Sequence, residues 1–154
     1  VRRLWRVWIC ARFSTRDVQA GDIDNDGDND FVSASSLGPV YYNNNDYFIF
    51  SNISIDNNNT SSVYLADLDN DGDLDPVFTE SFSAIIWYEN ILTADSVLFG
   101  PRQEIAPLNM DPRDIIAVDI DGDGDADIAA VSRNDDKVVW YENRLNESPA
   151  DFGP

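Results

Sequence analysis

The chain has no histidine and only one cysteine, Cys10, in 154 residues. Without histidine it contains no Ser-His-Asp triad, no His-ligated zinc and no imidazole acid–base catalysis. A lone cysteine makes neither an intrachain disulfide nor a Cys-rich metal knuckle. Positive charge is scarce: 10 bases stand against 29 acids, for a net charge of −19, which argues against a nucleic acid partner. No apolar run is long enough to span a bilayer. What remains is 43% apolar and 12% aromatic, which excludes general disorder and suffices for a real core.

The few bases are unevenly placed. Arg2, Arg3, Arg6, Arg12 and Arg16 all precede the first acid, Asp17. Residues 1–13 resemble a secretion signal only superficially, because Arg6 interrupts the short apolar run of Leu4, Trp5, Val7, Trp8 and Ile9. A strand, or the scar of a truncated gene, is the better reading of this stretch. The start at Val1 suggests a piece of a longer polypeptide.

Internal repetition dominates the rest. Three nonapeptides share one form, Asp22-Ile-Asp-Asn-Asp-Gly-Asp-Asn-Asp30, Asp67-Leu-Asp-Asn-Asp-Gly-Asp-Leu-Asp75 and Asp119-Ile-Asp-Gly-Asp-Gly-Asp-Ala-Asp127, with starts 45 and 52 residues apart. Trp87-Tyr-Glu-Asn90 returns as Trp140-Tyr-Glu-Asn143, with Tyr41-Tyr42-Asn43 as a weaker first copy. Phe99-Gly100-Pro101 returns as Phe152-Gly153-Pro154. Between these markers lie short β-branched and aromatic runs bounded by turn formers, and no segment keeps a helical spacing for three turns. Each acidic loop is flanked by such runs: Val18–Ala20 and Phe31–Ala34, Val63–Ala66 and Val77–Thr79, Ile115–Val118 and Ile128–Val131. A third run follows (Val40–Tyr42, Ile85–Tyr88, Val138–Tyr141), and a looser fourth includes residues 48–55 and 103–106. Four strands in about 50 residues is the content of a β-propeller blade.

The expected fold is therefore all-β, built of four-stranded antiparallel propeller blades. Unit 1 spans residues 17–62, unit 2 spans 63–110 and an incomplete unit 3 spans 111–154. Residues 1–16 are expected to supply a strand of a preceding blade or a fragment scar. Because propellers usually have four to eight blades, three units point to part of a ring of about seven, or to several copies that complete one. The apolar faces of the terminal blades would otherwise stay exposed.

Five carboxylates within nine residues repel one another, and Asp is a poor strand former. A hard cation resolves the conflict. Calcium takes six to eight oxygens and accepts irregular geometry, whereas magnesium demands an octahedron and keeps its water. Positions one, three, five and nine are expected to ligate through side chains and position seven through its backbone carbonyl. The candidate ligands are thus Asp22, Asp24, Asp26, Asp28 and Asp30; Asp67, Asp69, Asp71, Asp73 and Asp75; and Asp119, Asp121, Asp123, Asp125 and Asp127, for three Ca2+ sites. Glycine at position six (Gly27, Gly72, Gly124) permits the sharp turn. An EF-hand is excluded, since its twelfth position needs an acid and here holds Ser33, Phe78 and Ala130. Solvated acidic turns and carboxylate catalysis explain three loops in register less well.

The pattern Asp-x-Asp-x-Asp-Gly-x-x-Asp, followed by a Trp-Tyr-Glu-Asn strand, resembles the FG-GAP and VCBS-type repeats of calcium-binding β-propellers such as the integrin α-subunit head. That resemblance covers roughly residues 17–154. It implies a cation in the loop joining the first two strands of each blade, on the aspartates named above. Two departures stand out. Pro76 removes a donor at a strand entrance, so that strand is expected to begin late or run irregularly. The first unit lacks Trp-Tyr-Glu-Asn, which makes its third strand the least defined.

The Trp-Tyr pairs are expected to pack between blades, one ring on each face, rather than to bind sugar. Glu89 and Glu142 are expected at strand ends facing water. Functionally, the reading is a non-enzymatic, calcium-stabilised module, extracellular or at the cell surface, for protein or carbohydrate recognition or adhesion. Extracellular calcium suffices for sites of about 10⁻⁴–10⁻³ M. Asn52, Asn58, Asn59 and Asn146 are glycosylation acceptors only in a eukaryotic secretory pathway. The alternative is the catalytic or accompanying part of a carbohydrate-active enzyme, such as a polysaccharide lyase. No acid–base pair outside the loops supports it.

Overall fold

Short β-branched runs separated by turn residues can satisfy their backbone only in a ladder. A computed structural model, describing residues 14–44, 50–93, 96–107, 111–134, 136–145 and 152–153, shows these ladders as three four-stranded antiparallel sheets and one small hairpin. Blade 1 runs β1 (Thr15–Gly21), β2 (Asp30–Ser35), β3 (Val40–Asn44) and β4 (Phe50–Ser54), in that spatial order. Blade 2 comprises β5 (Thr60–Ala66), β6 (Asp75–Glu80), β7 (Ala84–Trp87) and then, after the hairpin of β8 (Asn90–Thr93) and β9 (Ser96–Phe99), β10 (Gln103–Pro107). Its order is β10-β7-β6-β5. Blade 3 holds β11 (Pro112–Val118), β12 (Asp127–Ser132), β13 (Lys137–Asn143) and β14 (Phe152–Gly153). These are propeller blades in an all-β chain. Among the described residues no helix is long and apolar enough to cross a membrane.

The repeat holds at the level of register. Each acidic loop joins the first two strands and is closed by the same pair, Gly21↔Asp30, Ala66↔Asp75 and Val118↔Asp127. Each first strand carries a register shift at the same place, just before Asp17, Ser62 and Asp114. The hydrogen bonds below align Tyr41-Tyr42-Asn43-Asn44 with Trp87–Asn90 and Trp140–Asn143.

The unequal spacing of the loops has a structural origin. Val40 pairs with Ser54, 14 residues on, whereas its counterpart Ile86 pairs with Glu104, 18 residues on. Four of the seven residues separating a spacing of 52 from one of 45 therefore lie in the stretch that forms the β8–β9 hairpin. Phe152 pairs with Asn143 as Phe99 pairs with Asn90. So β14 matches β9, and blade 3 has no counterpart of β10 among its described residues.

Period-two alternation places the core between the sheets. Ile23, Val32, Ala34 and Tyr41 of blade 1 meet Val63, Phe78, Ile86 and Tyr88 of blade 2 in one cluster. Leu68, Val77, Ile85 and Trp87 of blade 2 meet Ile115, Ala117, Ile128 and Ala130 of blade 3 in the other. Trp87 and Tyr88 thus face opposite neighbours, the core role expected of the pair. With both faces covered, every residue of β6 is buried.

Two expectations fail. Pro76 neither delays nor disorders its strand: β6 begins at Asp75, as β2 begins at Asp30, and the Pro76 carbonyl accepts the Tyr88 N–H at 3.1 Å. Anchoring of the Asp75 carboxylate, described below, holds that entrance in place of the lost donor. The third strand of blade 1 is regular over all five of its residues. The strand expected within residues 1–13, Cys10 and Asn146 lie outside the described residues.

Candidate metal loops

A nine-residue loop with five acids folds only if its own amides turn toward them. In all three loops the position-one carboxylate accepts the N–H of the position-six glycine: Asp22 from Gly27 at 3.0 Å, Asp67 from Gly72 at 3.0 Å and Asp119 from Gly124 at 3.1 Å. The position-five carboxylate accepts the position-seven N–H at 2.9 Å in each case, Asp26 from Asp28, Asp71 from Asp73 and Asp123 from Asp125. Positive φ at the glycine (97°, 97° and 102°) explains its place, since a Cβ there would meet nothing within 4 Å. Position four also lies in the left-handed region, as Asn25 (57°), Asn70 (60°) and Gly122 (87°). Asn and Gly are the residues that tolerate it.

The side chains then divide by role. Oxygens of Asp22, Asp24 and Asp26 lie within 4.8 Å of one another, as do those of Asp67, Asp69 and Asp71, and those of Asp119, Asp121 and Asp127. The set is all oxygen, as a hard cation requires. Asp24 Oδ1 and Asp67 Oδ1 are shielded from solvent and have no hydrogen-bond partner among the described residues. The donor chemistry and these orphaned oxygens fit Ca2+.

Position seven turns away from its own loop. Asp73 Oδ1 accepts from Asn25 Nδ2 at 2.6 Å, and Asp125 Oδ1 accepts from Asn70 Nδ2 at 2.5 Å, so each side chain reaches the loop of the preceding blade. Asp28, its counterpart in the first loop, is exposed.

Position nine has a second task, invisible in the spacing. Asp30, Asp75 and Asp127 are fully buried. Each holds the position-two N–H on one oxygen (Ile23 at 3.2 Å, Leu68 at 2.9 Å, Ile120 at 3.0 Å). The other oxygen holds the N–H of the asparagine ending the third-strand tetrad (Asn44 at 2.7 Å, Asn90 at 2.7 Å, Asn143 at 2.8 Å). One carboxylate thus ties the loop to the third strand.

The asparagine carries the tie into the next sheet. Asn90 Nδ2 donates to Leu74 O at 3.3 Å in its own blade and to Ile23 O of blade 1 at 2.9 Å. Asn143 Nδ2 donates to Ala126 O at 3.1 Å and to Leu68 O of blade 2 at 2.7 Å. Asn90→Ala is therefore expected to lower stability by about 1–3 kcal/mol, since it orphans the buried Ile23 carbonyl. Urea denaturation checks it.

Crowding shows in the acidities. Burial pushes the Asp75 carboxyl up to about 7, against its two backbone hydrogen bonds. Asp24, Asp30, Asp69 and Asp121 are also raised, by lost hydration first and neighbouring carboxylates after it. Glu89 is half-buried beside Asp69 and adds to that repulsion, rather than standing free in water. Asn43, at the same place in blade 1, instead donates to Asp24.

Fold and loops together define a class: blades of a β-propeller, each with an acidic loop between its first two strands. Residues 22–78, from the first loop into β6, match the family described as FG-GAP-like repeat. No curated protein matches the chain.

Proposed function

We propose that the chain is a calcium-binding, non-enzymatic module of an extracellular β-propeller, used in recognition of, or adhesion to, a protein or carbohydrate. The observation that carries this reading is the convergence, in all three loops, of three carboxylates at one point. In two of them it comes with a shielded oxygen that has no hydrogen-bond partner among the described residues. A bound Ca2+ supplies the positive charge that these oxygens lack. The residues do the rest: positions one and three present oxygens in every loop, joined by position five in the first two and by position nine in the third, and position nine also fixes each loop against the third strand. An extracellular setting supports this reading because calcium there suffices even for sites as weak as about 10⁻⁴–10⁻³ M. Equilibrium dialysis at millimolar calcium is expected to find three bound equivalents, and two for Asp121→Ala. No bound calcium in folded protein would sink the reading.

A further inference from the structure

The register shift in each first strand leaves one residue without a partner across the ladder: Arg16 in β1, Ser61 in β5 and Arg113 in β11. A bulge of this kind re-aims the side chain it carries. All three lie at the strand ends opposite the acidic loops, and the β6–β7 turn, Ser81-Phe82-Ser83, lies at that same end.

Phe82 departs from the usual chemistry of a turn. Its side chain is 71% exposed and its backbone sits at φ 64°, in the left-handed region. In the same connection the other two blades place Gly38 and Asp136 in that region, residue types that tolerate it. A bulky residue held there with its ring in water is the kind of strain that clusters at binding sites.

Two arginines from the flanking blades reach this turn. From blade 1, Arg16 Nη1 meets Ser81 Oγ at 2.8 Å, Thr60 O at 3.1 Å, Asn59 Oδ1 at 2.5 Å and Ser61 Oγ at 3.4 Å. From blade 3, Arg113 lies over the Phe82 ring, its Cζ 6.0 Å from the centroid. Arg113 is paired with the buried Asp111 carboxylate, which offsets its charge. Arg16 has no such partner among the described residues: the oxygens around it are neutral, and all of them are met by Nη1. Its Nε and Nη2 make no hydrogen bond among the described residues. The result is an exposed guanidinium, fixed in place, with its charge uncompensated and its fork presented outward.

The nearest acids are engaged elsewhere. Asp17 accepts from Val18 N at 2.8 Å, Ser62 Oγ at 2.9 Å and Val63 N at 3.0 Å. Asp114 accepts from Ile115 N and Ser62 Oγ, both at 3.0 Å. The loop aspartates lie at the far end of the strands, roughly 20 Å away at about 3.3 Å per residue, well beyond the screening length of about 8 Å at physiological salt.

We propose that this turn binds an acidic oligosaccharide, with a sugar ring stacked on Phe82 and a carboxylate on Nε and Nη2 of Arg16. An exposed aromatic ring offers a large apolar area to the C–H face of a sugar. The guanidinium fork matches a carboxylate in two parallel hydrogen bonds. One uncompensated arginine suits one carboxylate per sugar, not a dense polyanion. The aromatic platform favours a sugar over an acidic peptide. This site deepens the recognition reading above, and rests on it, by giving that reading a ligand and a place. All three blades that build it belong to this chain.

The test is isothermal titration calorimetry of the calcium-loaded chain with trigalacturonate, the neutral galactose trimer and triglutamate as probes. Trigalacturonate is expected to bind, and the other two to bind about tenfold more weakly or not at all. Arg16→Gln is expected to weaken trigalacturonate about tenfold to a hundredfold, with unchanged circular dichroism. Phe82→Asn is expected to weaken it about tenfold, with the melting temperature held or raised, because asparagine accepts the left-handed turn. A Phe82 that served only to brace the blades would lose stability there and leave binding alone. Absence of heat with trigalacturonate overturns the proposal, as does equal binding of the neutral trimer or of triglutamate. Undiminished binding by Arg16→Gln is equally fatal and would assign the carboxylates to calcium in the loops. Calcium stoichiometry, read by dialysis, separates the two readings: three equivalents with no sugar bound sink this site alone. Sugar held by a calcium-free chain upholds this site and sinks the metal assignment instead.

Discussion

Chelation of calcium is expected to lower the melting temperature by on the order of 15–30 °C. A ligand at 100 times its Kd stabilises the native state by about 2.7 kcal/mol per site, so three independent sites contribute about 8 kcal/mol. For a chain of this length each kcal/mol is worth about 2–4 °C. The same experiment carries a pH arm whose sign follows from Asp75. Its carboxyl is pushed up from 3.8 to about 7 by burial, so between those values the folded chain holds a proton that the unfolded chain has released. Stability of the chelated protein therefore falls as pH rises through that window, the reverse of a salt-bridged aspartate. Melting curves at pH 5 and pH 8, with and without chelator, are expected to show the gap between the two states widening at pH 8. Superimposed curves at both pH values would remove the cation from the account.

Replacing two aspartates of one loop is expected to have opposite dependence on the ion. Asp75→Ala orphans two buried amides, Leu68 N and Asn90 N. Each unsatisfied group costs about 1–3 kcal/mol, so the loss is about 2–6 kcal/mol with or without calcium. That is a large part of the whole stability of an ordinary domain, about 5–15 kcal/mol. Among the described residues Asp69 accepts only the Asp71 N–H, at 3.3 Å, and it sits against the charges of Asp71, Glu89 and Asp67. Asp69→Ala is therefore expected to be neutral or stabilising in chelator, where it relieves repulsion, and to cost about one site, about 2.7 kcal/mol, in saturating calcium. Urea denaturation of both variants in both buffers distinguishes a staple from a ligand. If both lose the same stability in both buffers, this division of labour within the loop is wrong.

Much of the architecture was legible because repeats announce themselves. The three acidic nonapeptides gave the blades their phase, and period-two alternation correctly sent Trp87 and Tyr88 to opposite neighbours. The β8–β9 hairpin was missed, although Ile91-Leu92 and Val97-Leu98 flanking Ala94-Asp95 carried its signal. A four-strand template left no place for it. Within the loops, the glycine was readable from its backbone demand, and Asn25 and Asn70 would have been on the same ground. The double role of Asp30, Asp75 and Asp127 was not, because five identical side chains in a row look equivalent. What separates the ninth is a partner some 15 residues ahead, Asn44, Asn90 or Asn143. Nor does spacing reveal that Asn90 reaches back 67 residues to Ile23. Pro76 misled for a related reason: the penalty for its missing N–H was visible, and the carboxylate anchoring its neighbour was not.

The stitch from Asn90 to Ile23 and from Asn143 to Leu68 also imposes an order in time. A loop formed early on the ribosome lacks its last tether until the tetrad of the following sheet has been translated. Maturation thus trails elongation by roughly one repeat, and a translational pause between repeats would leave the newest acidic bend unfinished while those upstream are already set.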